Sequence, residues 1–153
     1  MKWLVADAKQ YEQAKEYIDT AIIPLLSISL VEKMRNTVGE GEFLTTFANE
    51  LEREYKGRIF LLPAFTYIEQ VEENTSNRLK EWTSYLQKQG FQHVLYVTSD
   101  VSWKSAEEEL TGELFYVSAL PLEQLSEQAK REVIQTQVGM VAELLIKKWE
   151  NNK

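Results

Sequence analysis

The apolar run Val94–Val97 passes abruptly into Thr98, Ser99 and Asp100, the change of character expected where a buried strand reaches its ligand-facing end. Thr66 and Tyr67 come just after a second apolar run, Ile59–Leu62; Ser27 and Ser29 end a third, and Ser118 lies at the end of "ELFYVS". In a parallel sheet the C-terminal ends of the strands share one rim, so these residues predict a hydroxyl-rich edge with Asp100 as its central carboxylate. The chemistry open to such an edge is the binding of a small polar ligand by Thr66, Tyr67, Thr98, Ser99 and Asp100. Asp100 would serve as general base or ribose acceptor, and Trp103 as a stacking lid. The competing expectation is structural and is the stronger one: an Asp at the start of a turn accepts hydrogen bonds from nearby backbone amides.

Other chemistry is narrowed by what is missing. With 0 Cys and 1 His in the chain, thiolate catalysis, disulfide frameworks and cysteine or histidine-cluster metal sites are closed, so no metal and no cofactor is expected. A Ser-His-Asp arrangement would have to use His93, which precedes its strand and so falls on the rim opposite the hydroxyls. Gly39 and Gly41 in "VGEGEF" form only a G-x-G, without a third glycine and flanked by Glu40 and Glu42. Those charges repel phosphate, so a loop break is expected there rather than a nucleotide loop. The carboxylate runs Glu72–Glu73 and Glu107–Glu109 occupy consecutive positions, which point apart on a helix and are expected to be solvated.

Composition bounds the partner as well. A chain of 153 residues is long enough to bury roughly 70% of its unfolded surface in one core, so a single domain over 1–153 is expected. Lys and Arg number 17 against 24 Asp and Glu, a net charge of −7 spread along the chain, and this argues against a nucleic-acid partner, which requires a basic face. The N-terminal segment lacks a signal-peptide core, and the longest apolar stretch, "AIIPLLSISLV", is too short to span a bilayer. A cytoplasmic protein without direct membrane insertion is the expectation.

The elements that must position these residues follow from periodicity. Tyr11, Ala14 and Ile18 mark a first helix capped by Asp7; "TAIIPLLSISL" is a strand that Pro24 would place at an edge or a bulge. Phe43, Phe47, Leu51 and Tyr55 recur every four residues as a helix ending at Gly57, before the strand "RIFLL". Asn74, Thr75 and Ser76 are cap candidates for a helix bearing Leu79, Trp82 and Leu86, which stops at Gly90. Strand 58–62, helix and strand 93–97 then have the length of a βαβ crossover, which implies parallel pairing. A short polar connection, a strand at "ELFYVSALP" and one long helix from Leu122 to Trp149 complete the chain. This alternation predicts an α/β three-layer sandwich with a small, mostly parallel sheet of about four strands and a long C-terminal helix. The second half of that helix is apolar around much of its circumference, so Val141, Leu145 and Trp149 are expected at an interface, with Gly139 permitting close approach of a neighbouring backbone. Trp3 fits either the end of the fold or a partner contact, and Trp82 fits the core.

Two segments, "AKEYIDTAIIPLLSISL" and "KGRIFLLPAFTY", resemble the YpiF-like proteins, a family of small uncharacterised proteins from Bacillus-type bacteria assigned to a domain of unknown function. The resemblance covers the whole chain and brings no catalytic residues with it; it implies at most a loose link to respiratory-complex biogenesis. At the level of fold, the second half is also similar to the small α/β binding domains of the TolB amino-terminal and anticodon-binding type. The expectation is therefore a non-catalytic protein-binding or assembly module, with a protein partner or self-association. The alternative is an enzyme acting on a nucleotide or sugar phosphate through Asp100.

Overall fold

A computed structural model describes residues 1–32 and 34–151. Helix α1 (Val5–Ala14) and one 3-10 turn lead into β1 (Thr20–Ile28). Then follow α2 (Met34–Glu54), β2 (Ile59–Leu61), β3 (Phe65–Ile68), α3 (Glu73–Lys88), β4 (His93–Thr98), a 3-10 segment (Val101–Glu109), β5 (Glu113–Tyr116) and α4 (Glu127–Glu150). The strands pair in parallel in the order β2-β1-β4-β5, and β3 lies beside the second half of β1, continuing the line of β2. The α/β fold with a small parallel sheet and a long C-terminal helix is as expected. The strands of the predicted crossover, however, do not pair with each other: β1 lies between them.

Successive side chains of a strand point to opposite faces, so a sheet covered on both sides needs apolar residues at every position. Ile22, Leu95 and Val97 face one layer built from α2 and α4, where Phe43, Phe47, Leu51, Ile134, Val138 and Leu145 meet them. Ile23, Leu25, Val94 and Tyr96 face the other, which holds Leu79 and Leu86 of α3 together with Trp103 and Ala106 of the 3-10 segment.

Pro24 does not mark an edge, since β1 is central. Leu62 donates to the carbonyl of Ile22, which orients the backbone groups of Ile22, and hence those of Pro24 two residues on, toward the β2–β3 side. On that side pairing stops at Ile22–Leu61 and resumes at Leu25–Phe65. The missing N–H of Pro24 thus faces the interruption around Pro63, where no ladder bond is lost.

Helix α2 begins nine residues before its apolar stripe. Gly39 and Gly41 lie inside it instead of forming a loop, and neither would bring a Cβ within 4 Å of another group. Each weakens the helix by about 0.5–1 kcal/mol relative to Ala without breaking it, and the first turns carry Glu40 over the C-terminal end of the sheet. Helix α1 ends earlier than the pattern suggested, and Asp7 accepts from the Lys2 amide at 2.6 Å. Glu72, not the Asn-Thr-Ser run, caps α3: its side chain accepts from the Thr75 amide while its own amide donates to the Thr75 hydroxyl. Ser126 caps α4 by accepting from the Ala129 amide.

Candidate functional site

The sheet order reverses direction at β1, with β2 and β3 on one side and β4 and β5 on the other. In open α/β sheets the crevice for ligands lies at this switch point, outside the C-terminal ends of the two strands. A cavity of about 790 Å³ lies there, lined by Ser27 near the end of β1, Ser99, Asp100 and Ser102 after β4, Glu69 after β3 and Glu40 from α2.

Asp100 is the hub of the crevice floor. Its Oδ1 accepts from the Ser102 amide at 2.9 Å and the Ser102 hydroxyl at 2.8 Å, capping the 3-10 segment. Its Oδ2 accepts from the Tyr67 hydroxyl at 2.6 Å. The Trp103 indole N–H donates to that same hydroxyl at 2.9 Å. Burial, reinforced by the bond to Asp100, raises the pKa of the Tyr67 phenol far above its ordinary value and keeps it protonated. Glu40 faces the same space: burial raises its carboxyl pKa above the usual range, and the negative charge of Asp100 adds to the effect.

The other rim residues divide. Thr98 is fully buried, with its hydroxyl oxygen accepting from the Asp100 amide at 3.0 Å, and Ser99 is buried with its hydroxyl donating to the Val117 carbonyl at 2.6 Å. Thr98 thus supports the strand end and does not line the crevice. Thr66 and Tyr67 point to opposite faces of β3, so only Tyr67 reaches Asp100, while exposed Thr66 contributes its carbonyl to Arg78. Ser118 is exposed. Trp103 is not a lid: at 0% exposure it is packed edge-on against Tyr67 and Phe65, so no ligand reaches its ring in this structure. Glu40, expected only as a charge flanking a loop break at Gly39 and Gly41, reaches the crevice because α2 extends through both glycines.

The expected interface on α4 is corrected. Val141, Leu145 and Trp149 are all buried against the chain's own sheet and α2. The exposed apolar residues of α4 are Met140, Leu144 and Ile146. Gly139 is exposed with nothing near it. Trp82 is half-buried edge-on to Phe65, and exposed Trp3 leans on Phe60, where a second, apolar groove of about 610 Å³ runs between α1 and α3.

His93 lies at the opposite rim, 1% exposed, among Asp19, Arg58 and Lys148. Burial lowers its pKa; the negative charge of Asp19 opposes this, and the positive charges of Lys148 and Arg58 add to the lowering. Burial would raise the Asp19 pKa, but the hydrogen bonds from Arg58, each 3.0 Å, and from Thr20 hold it below the ordinary carboxylate value. A base whose folded pKa lies below its unfolded 6.5 binds more protons when unfolded, so stability falls as pH drops below 6.5 toward the folded value. The Asp19 contribution is present above 3.8 and is lost only as pH falls below that through its own folded value. Glu40, raised above 4.5, acts in the opposite sense, its contribution declining as pH rises above 4.5 through its folded value. We predict that the thermal midpoint drops between pH 7 and pH 5, and that His93→Gln flattens this slope. An unchanged slope in the variant would contradict the assignment.

A family profile described as "Protein of unknown function (DUF2487)" matches residues 9–149. The chain belongs to this family. It is 38% identical over 149 residues to "Uncharacterized protein YpiF" of Bacillus subtilis (strain 168), covering 97% of this chain and 98% of that protein. No solved structure matches. The family resemblance read from the two strand segments is therefore correct, and the fold described above places that shared sequence in three dimensions. Among the described residues of this family member, no helix is long and apolar enough to cross a membrane, and no group of three or more His, Asp or Glu is placed to hold a metal ion.

Proposed function

We propose that the protein is a non-catalytic binding module that acts through protein contact, with the C-terminal end of its sheet as the working surface. One observation carries this reading: large apolar side chains are exposed around the crevice. Ile28 and Ile68 end β1 and β3 in paired register, Leu30 and Val31 follow β1, Val38 lies on the first turns of α2, and Val101 follows Asp100. Ile68 is 73% exposed and Leu30 78%. Scattered single apolar residues are ordinary, whereas their concentration at one end of a sheet is characteristic of an interaction surface.

The chemistry of the floor favours contact over catalysis. A carboxylate offers about four acceptor sites, and three of those on Asp100 are occupied by Ser102 and Tyr67, which suits a structural hub better than a general base. An enzyme for a nucleotide or sugar phosphate has less support, because Glu40, Glu69 and Asp100 would repel the phosphate. A partner in respiratory-complex biogenesis, the link implied by the family resemblance, is where we would look first.

The test compares cross-linked complexes formed in the native host by the parent chain and by an Ile68→Asp, Val101→Asp double variant. We expect a partner recovered with the parent and lost with a variant of equal melting temperature. Identical recovery from both would refute the reading.

A further inference from the structure

We infer that the apolar collar at the C-terminal end of the sheet docks a partner segment in which a lysine or arginine is flanked by apolar residues, its cation entering the crevice between Glu40 and Asp100. This rests on the protein-contact reading and specifies the chemistry of the partner.

The argument is one of charge complementarity. Among the described residues lining the crevice, the charged ones are Glu32, Glu40, Glu69 and Asp100, with no lysine or arginine. Lys104 is engaged at the edge of the crevice, 4.5 Å over the ring of Tyr116, which lines it, and Arg35 borders the neighbouring groove between α2 and the β5–α4 connection. None of the four carboxylates is in an ion pair among the described residues. Glu40 and Asp100 thus line one crevice without an ion-pair partner among the described residues, and one acceptor site of Asp100 is still open.

A bare metal ion is a poor occupant, since no group of three or more acidic or histidine ligands converges among the described residues. A phosphate is repelled. A cation on a flexible apolar stem satisfies both parts of the surface, because its charge meets the floor while its stem and neighbours cover the collar. The floor is held in place before binding: Tyr67 is fixed between Asp100 and the buried Trp103, so little ordering is required when the segment arrives.

The test uses two synthetic peptides, acetylated and amidated, with Ser-Gly ends and a Leu-Arg-Leu core or the same core with citrulline replacing arginine. Each is titrated into the isotopically labelled full chain while backbone amide shifts are followed. We expect the arginine peptide to move the amides of Ser27, Glu40 and Ser99 to Ser102. Its affinity should fall at least tenfold for the citrulline peptide, fall similarly for Glu40→Gln, and weaken with added salt. Equal affinity of the two peptides, shifts confined to the α1–α3 groove, or no shift at millimolar arginine peptide would each overturn the inference. If both peptides bound the crevice equally and both were lost in the Ile68→Asp, Val101→Asp variant, the contact surface would stand and only the cation preference would fail.

Discussion

Replacing Trp149 by alanine is expected to destabilise the protein by about 3–5 kcal/mol, the usual cost of removing a buried tryptophan. For a chain of this length that corresponds to a fall of roughly 6–20 °C in melting temperature. The size of the effect follows from what the indole joins. Its N–H donates to the Thr20 hydroxyl at 2.8 Å, and that hydroxyl donates to Asp19 at 2.9 Å. Asp19 holds Arg58 through both carboxylate oxygens, and the Arg58 guanidinium lies 4.2 Å above the Trp149 ring. Tyr55 meets the same ring edge-on at 5.2 Å. One side chain thus ties the end of α4 to the start of β1, the approach to β2 and the end of α2. Trp149→Phe should lose less, because it keeps the ring over Arg58 and removes only the N–H. Denaturant unfolding of both variants decides the point. A loss under 1 kcal/mol for the alanine variant would mean that the residue is not the structural clamp described, and would reopen its role as a partner contact.

Trp149 also illustrates what was legible in the sequence and what was not. The apolar spacing along α4 was readable and so was its C-terminal end, but the helix starts at Glu127, not Leu122, because Leu122–Gln124 forms a separate 3-10 turn and Ser126 caps α4. Its circumference, though, carries apolar residues on more than one face, and only the packing decides that Val141, Leu145 and Trp149 turn inward while Met140 and Leu144 stay exposed. Alternating helices and strands fixed the layer architecture, but the position of β1 between β2 and β4 depends on pairing between segments distant in sequence. The Pro24 signal was real and was attributed to the wrong strand: the irregularity it tolerates belongs to the neighbour, between β2 and β3. At the candidate site, the apolar-to-polar change after Val97 located the right rim. Trp103 was misread because three residues of separation from Asp100 say nothing about how a 3-10 turn rotates a side chain back onto Phe65 and Tyr67. The place of Glu40 at the crevice was not legible for the same class of reason: a carboxylate twelve residues past β1 reaches it only because α2 continues through two glycines.

Replacing Asp100 by alanine is the second large effect expected, about 2–4 kcal/mol, and it separates the structural role of this residue from a purely ligand-facing one. Two losses contribute. The 3-10 segment loses its cap, the Asp100 carboxylate that accepts from the Ser102 amide, worth about 0.5–2 kcal/mol, and the Tyr67 hydroxyl loses its acceptor inside the protein, worth about 1–3 kcal/mol. Tyr67→Phe alone should cost a comparable amount, because it strands the buried Trp103 N–H. In the double variant the Asp100–Tyr67 bond has already been removed once, so its total should fall short of the sum of the single losses by about 0.5–3 kcal/mol. A residue kept only to meet a ligand behaves otherwise: its removal from a crevice of like charges would leave stability unchanged or increase it. Equilibrium unfolding of the four proteins in the cycle therefore gives a direct decision. An Asp100→Ala variant as stable as the parent, with purely additive energies, would remove Asp100 from the hub of the floor. A large, non-additive loss would establish that the carboxylate first holds the crevice in shape, through the three hydrogen bonds it accepts from Ser102 and Tyr67.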